Sequence, residues 1–142
     1  MIIPDVNILV AAFRGEHVHH DLANDWLRTV IASTEVVGLS SAVVSGFIRV
    51  VTNRRAFADP TELDVALGQI ENLRSQVGVI DVAPGPKHWE IFSSLCRDAD
   101  ARGALVSDAV HAAIAMENGA TWVSMDRDFA RFPGLRWELP FR

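Results

Sequence analysis

Short apolar runs alternate along this chain with longer segments in which apolar residues recur every three or four positions, the two periods that separate strands from amphipathic helices. Residues 1–4 read as a strand, and 6–13 as a helix that begins directly after Asp5. Leu22, Ala23, Trp26, Leu27, Val30 and Ile31 fall at helical spacing. The run at 36–40 is a second strand, followed by a helical stretch through Val43, Val44, Phe47, Ile48 and Val51. Asp59-Pro60-Thr61 breaks the pattern and starts a helix with Leu63, Ala66, Leu67, Ile70 and Leu73 on one face. Residues 77–82 form a third strand, and a turn at 83–86 precedes a helix carrying Trp89, Phe92 and Leu95. Gly103 separates that helix from one starting near Asp108 and ended by Gly119. Residues 120–125 and 135–139 are the fourth and fifth strands. Strands alternating with helices imply an α/β three-layer sandwich, a mainly parallel central sheet flanked by helices.

No repeat, low-complexity segment or flexible linker interrupts the pattern, and 142 residues with 49% hydrophobic content suit a single domain over 1–142. No apolar stretch approaches the roughly 20 residues of a membrane span, and the N-terminus lacks the basic flank of a signal peptide. A cytoplasmic protein is expected. Cys96 has no partner for an internal disulfide and sits in an apolar pattern, where a buried thiol is the simplest role. The four tryptophans, Trp26, Trp89, Trp122 and Trp137, also fall in apolar patterns and are expected in the core.

A net charge of −5 argues against a protein that coats nucleic acid through a general basic excess. Local basic clusters remain: Arg49, Arg54 and Arg55, then Arg127 and Arg131. The carboxylates are more informative. Asp5 interrupts an apolar run at the end of the first strand, Asp126 and Asp128 follow the fourth strand, and Asp108 stands at the expected start of a helix. Open parallel sheets bind ligands outside the carboxyl ends of their strands, so these acids are candidates to converge on one sheet edge. Each taken singly also suits a helix N-cap. As a group they would repel one another unless protonated or neutralised, and a hard cation such as Mg²⁺ or Mn²⁺ suits an all-oxygen set. His17, His19 and His20 form a compositional cluster without a second ligand group in evidence, and His111 lies one helical turn beyond Asp108.

The opening Pro4-Asp5-Val6-Asn7-Ile8-Leu9, the stretch from Phe47 to Phe57, and above all Ser107 to Leu135 resemble a PIN-domain protein of the VapC toxin type. The last stretch is the most specific, combining Asp108, a small-residue helix, a glycine, a strand and Ser124-x-Asp126-x-Asp128-Phe129 in order. The resemblance implies a Mg²⁺- or Mn²⁺-dependent endoribonuclease toxin restrained by an antitoxin. It implies that Asp5, Asp108 and Asp126 are metal-site acids, that Asp128 assists them, and that Asn7 and Ser124 supply polar support. Arg49, Arg54 and Arg127 are candidates for phosphate contacts. Members of the family usually carry a glutamate directly before the Phe-x-Arg segment, where this chain has Gly46. The site is then one negative charge weaker, with three aspartates left to hold an ion through direct bonds and ordered waters.

The implied substrate is structured RNA with exposed loops, such as transfer or ribosomal RNA, since sequence-specific readers of RNA target unstacked bases. The implied partners are a cognate VapB-like antitoxin, laid as an amphipathic helix in a groove near Leu22, Trp26, Phe47 and Val51, and a second copy of the chain in a homodimer. Two other classes are open: a PIN-like module that binds RNA or a partner without cleaving, and a phosphotransfer protein phosphorylated on Asp5. The second would need a lysine near the phosphate, and Lys87 is the only one in the chain.

Overall fold

Ile2–Pro4 forms β1, the middle strand of the sheet, in the computed structural model, which describes residues 1–141. The chain passes through Asp5 straight into α1 (Val6–Phe13). There follow α2 (His20–Ala32), β2 (Val37–Ser40), α3 (Ser41–Val51), α4 (Leu63–Arg74), β3 (Val79–Val82), α5 (His88–Asp98), α6 (Ala104–Glu117) and β4 (Thr121–Val123). A 3₁₀ turn over Arg127–Arg131 and the short β5 (Trp137–Glu138) complete the fold.

Sheet order is β3-β2-β1-β4-β5 with every neighbouring pair parallel. The steps from β1 to β2 and from β2 to β3 run the same way across the sheet, so right-handed crossover places α1 to α4 on one face. The return from β3 to β4 runs the other way and places α5 and α6 on the opposite face. Packing follows this division: α1 lies against α2 and α3, α3 against α4, and α5 against α6. The fold is therefore the α/β sandwich with a parallel central sheet that the sequence implies. Chain direction across the sheet reverses between β1 and β4, the kind of switch point at which open α/β sheets bind ligands.

Ile3, Val37, Leu39 and Trp122 carry the sheet's share of the core. In α1, Ile8 through Ala12 are all buried, as expected of a helix that is apolar all round. Ser40 caps α3 by accepting the Val43 N–H at 3.1 Å. At the end of α6, Gly119 takes φ +63°, and the Gly119 and Ala120 N–H groups return to the carbonyls of Met116 and Ala115. That pair of bonds is a Schellman stop, and it needs a residue that accepts the left-handed conformation.

Several expectations are corrected. The last long helix begins at Ala104, one turn before Asp108, because nothing after Gly103 breaks it and Leu105 packs against the core. Asp108 therefore projects from the second turn and is no N-cap. Trp89 is 72% exposed, because α5 packs on the core through Leu95, Ile91 and Phe92 and leaves Trp89 outside. Phe47 and Val51 are wholly buried and cannot line a partner groove. Cys96 is only partly buried. The third strand starts at Val79, since Val77 is fully exposed. The fourth ends at Val123, where Ser124 turns its hydroxyl to Asp5 and the Met125 N–H goes to Asn7. No described helix is long and apolar enough to cross a membrane.

Candidate active site

Asp5 sits where β1 gives way to α1, with its N–H bonded to the Val123 carbonyl of β4. It is the N-cap of α1: Oδ1 accepts the Val6 N–H at 2.6 Å. Its other oxygen, Oδ2, accepts the Ser124 hydroxyl at 2.6 Å. Ser124 is completely buried and its Oγ is fully used, donating to Asp5 while accepting Asn7 Nδ2 and the Asp126 N–H, each at 3.0 Å. Asn7 returns the connection, its Oδ1 accepting the Met125 N–H at 3.3 Å. Asp126 caps the 3₁₀ turn by accepting the Asp128 N–H at 2.9 Å. Asn7 and Ser124 thus stitch the ends of β1 and β4 together behind Asp5 and fix the direction of its carboxylate.

Ser124→Ala strips a partner from Asp5, Asn7 and the Asp126 N–H together. The expected cost is about 1–3 kcal/mol, as for buried polar groups left unsatisfied, read from denaturant melts in chelator.

Asp5 opens on a pocket of about 640 Å³ that also contains Asp108 and His111 from α6 and Ser45, Gly46 and Arg49 from α3. The structure so brings two of the four aspartates into one cavity, together with Arg49. Asp126 and Asp128 are exposed and lie outside its lining, close enough for their charge to act on it. Burial, countered by the Ser124 and Val6 hydrogen bonds and reinforced by the charges of Asp108 and Asp126, raises the Asp5 carboxyl from an ordinary 3.8 to about 6. Burial, then the charges of Asp126 and Asp128, raises Asp108 to about 6 as well. Two acids that resist ionising, turned to one cavity, create a site that a cation would relieve.

Among the described residues, no three His, Cys, Asp or Glu side chains stand close enough together to hold an ion unaided. The donor chemistry still fits a hard divalent cation, because Mg²⁺ commonly takes one or two carboxylates and fills its remaining positions with water. Asp5 and Asp108 are the carboxylates in place for that role.

His111, one helical turn beyond Asp108, lines the same pocket. Burial lowers its imidazole from 6.5 to about 4, so it is neutral at physiological pH. Its ring stacks on Trp122 at 5.0 Å and 18°, and its Nδ1 is buried without a partner. Ser45 and Ser107 also line the pocket, and only their spacing, one turn before Arg49 and His111, could have pointed to them. The histidine cluster is occupied locally: His17 Nδ1 accepts the His19 N–H, and His20 Nδ1 meets the Ala11 carbonyl. Lys87 lies outside the pocket, exposed at the start of α5, which leaves a phosphorylated Asp5 without its cation.

A family model described as PIN domain matches residues 2–135. Over 140 residues the chain is 43% identical to the VapC ribonuclease Mb2897 of Mycobacterium bovis, covering 99% of this chain and 95% of that protein. It is 39% identical to ribonuclease VapC25 of Mycobacterium tuberculosis over 140 residues, 99% of each. Among solved structures, VapBC2 from Rickettsia felis, bound to a DNA fragment from its promoter, gives a TM-score of 0.71 at 21% identity over 98% of both chains. Mycobacterium tuberculosis VapC20, described as a sarcin-ricin loop cleaving toxin, gives 0.67 at 18% identity over 96% of this chain and 99% of that one. These structures share the fold, and the curated relatives carry the sequence likeness across nearly the whole length. With its parallel sheet and its aspartates at the switch point, the chain belongs to the PIN-domain family, alongside the VapC ribonucleases.

Proposed function

We propose that this protein is a divalent-cation-dependent endoribonuclease toxin that cleaves structured RNA, with Mg²⁺ as its ion and Mn²⁺ as a substitute. The observation that carries the reading is the Asp5–Asp108 pocket, whose two acids are both raised to about 6 and share one cavity with Arg49. Asp5 and Asp108 would hold the ion, with Asp126 reaching it through water, and Asp128 adding negative charge. When bound, the ion supplies an activated water and neutralises charge on the phosphoryl and leaving oxygens.

The chain's own residues do the rest. Ser124 and Asn7 keep Asp5 aimed at the cavity through bonds already made in the free protein, so little has to reorganise when substrate arrives. Arg49 is exposed and, among the described residues, has no carboxylate partner at ion-pair distance. Its guanidinium is free to take a phosphate beside the scissile bond. His111, neutral and backed by Trp122, forms a wall of the cavity and adds no positive charge to compete with an ion. No side-chain nucleophile is required.

Arg49→Ala is expected to raise KM for RNA several-fold with little change in kcat. It should also flatten the dependence of log affinity on log salt by about 0.7, the share of one phosphate contact on a single strand. A kcat loss at unchanged KM would place Arg49 in the chemical step.

A cognate VapB-like antitoxin is the partner this reading requires, and the VapBC complexes among the fold's neighbours support it. A basic or polar side chain entering the acidic pocket is the means of inhibition, and a homodimer is the form in which the toxin is expected to occur. Gly46 favours a second reading, a module that binds RNA without cutting it, because no carboxylate from α3 reaches the pocket. Incubation of antitoxin-free protein with total cellular RNA, with and without Mg²⁺ or Mn²⁺ and with cut ends mapped, separates the two. Discrete cation-dependent cuts establish the ribonuclease, and RNA binding without cuts establishes the module.

A further inference from the structure

Gly46 of α3 faces Val6, the first residue of α1, across the wall of the candidate active site. A Cβ at position 46 would stand 2.8 Å from Val6 Cγ2, well inside the 3.5–4.0 Å at which carbon atoms rest against each other. Val6 is poorly able to swing aside, since a β-branched side chain has one strongly preferred χ1 in a helix. It is also tied to the site: its N–H is the donor that caps Asp5 Oδ1 at 2.6 Å. Both residues line the pocket beside Asp5, Ser45 and Arg49. A side chain entering at position 46 therefore has to displace the residue that orients Asp5.

We propose that Val6 and Gly46 are an interlocked positioning pair: the Val6 methyl fills the space above Gly46, holds the start of α1 and with it Asp5, and bars a further carboxylate from α3. A fourth acid can join the pocket only when Val6 is shortened. The packing half of this inference stands on the contact alone, while the carboxylate half rests on the cation-site reading above.

Gly46 lies inside a helix, where replacement by Ala would ordinarily stabilise. The interlock reverses that sign. In chelator, Gly46→Ala is expected to lower Tm by about 3 °C in the native background and to raise it by about 3 °C in a Val6→Ala background. Calorimetric titration with Mn²⁺ tests the second half. Gly46→Glu alone is expected to bind Mn²⁺ no more tightly than the native chain, and Val6→Ala/Gly46→Glu about tenfold more tightly. A rise in Tm for Gly46→Ala with Val6 intact would overturn the packing claim. Tighter Mn²⁺ binding by Gly46→Glu alone would overturn the exclusion of a fourth acid. Absence of Mn²⁺ binding in every variant would refute the cation-site reading and the carboxylate half with it, the Tm reversal then deciding the packing half by itself.

Discussion

Asp108→Asn is expected to lower kcat/KM for RNA cleavage by roughly a thousandfold while leaving the cation-free protein at least as stable as the native one. The first part follows from the ion's contribution. A bound cation stabilises developing phosphoryl charge by several kcal/mol, and each 1.36 kcal/mol is a factor of ten in rate. Among the described residues Asp108 is one of two acids lining the pocket, so its neutral isostere removes a principal donor and half of the cavity's negative charge.

The second part follows from the raised acidity constant. Asp108 sits at about 6 because burial and the charges of Asp126 and Asp128 oppose its ionisation, so at neutral pH its carboxylate works against the folded state. An amide removes that opposition. Asparagine is also tolerated in the second turn of α6, where Asp108 makes no capping bond. Cleavage assays and thermal melts in chelator, run on the same preparations, check both parts. Lost activity with a lowered Tm would signal a folding defect, and retained activity would remove Asp108 from the site.

The placement of Asp5, Asp126 and Asp128 is legible in sequence because it depends on one local rule, that polar residues ending an apolar run sit at the carboxyl edge of a parallel sheet, whereas Asn7 and Ser124 come only with the family resemblance. Asp108 is legible as a neighbour of that edge, yet its local surroundings are not. Ala104-Leu105-Val106-Ser107 contains no breaker after Gly103 and carries the helix back one turn before Asp108. Trp89 shows a different limit. Periodicity identifies the face of a helix that shares a pattern, but only tertiary packing decides how far a covering element extends, and Trp89 is left uncovered. Phe47 and Val51 err in the reverse sense, assigned to a surface groove while the core claims them. The Val6–Gly46 contact joins residues from two helices at a distance set by backbone approach, which no single-chain pattern encodes.

Two groups of opposite sign make the pH dependence of stability a sharper probe of the pocket than any single melt. Asp5 binds its proton more tightly folded, at about 6, than unfolded, near 3.8. Between those values the native state holds more protons than the unfolded one, so stability falls as pH rises from about 4 to about 6 and stays lower above it. The size is about 3 kcal/mol at 1.36 kcal/mol per unit. Asp108 adds to the same arm. His111 does the reverse: it titrates at about 4 folded and 6.5 unfolded, so stability rises across that window by about 3 kcal/mol. His17, lowered by burial, reinforces this second arm. Asp81 and Glu16 are exposed and shifted downward, so their small contributions are lost only in stronger acid.

The arms oppose each other, and the native protein in chelator should show a shallow profile between pH 4.5 and 6.5, a range set by about 4 and 6.5 for His111. Asp5→Asn/Asp108→Asn removes the carboxylate arm, to which both acids contribute, and stability should then climb with pH. His111→Gln removes the other, and stability should then fall with pH, whatever the substitution costs in absolute Tm. Saturating Mg²⁺ holds the carboxylates ionised at neutral pH, so the native profile should tilt upward, with cation-induced stabilisation growing from pH 5 to 7. Parallel slopes for the two variants, or a Mg²⁺ effect that does not grow with pH, would show that the acids and the imidazole do not share this cavity in the way their burial requires.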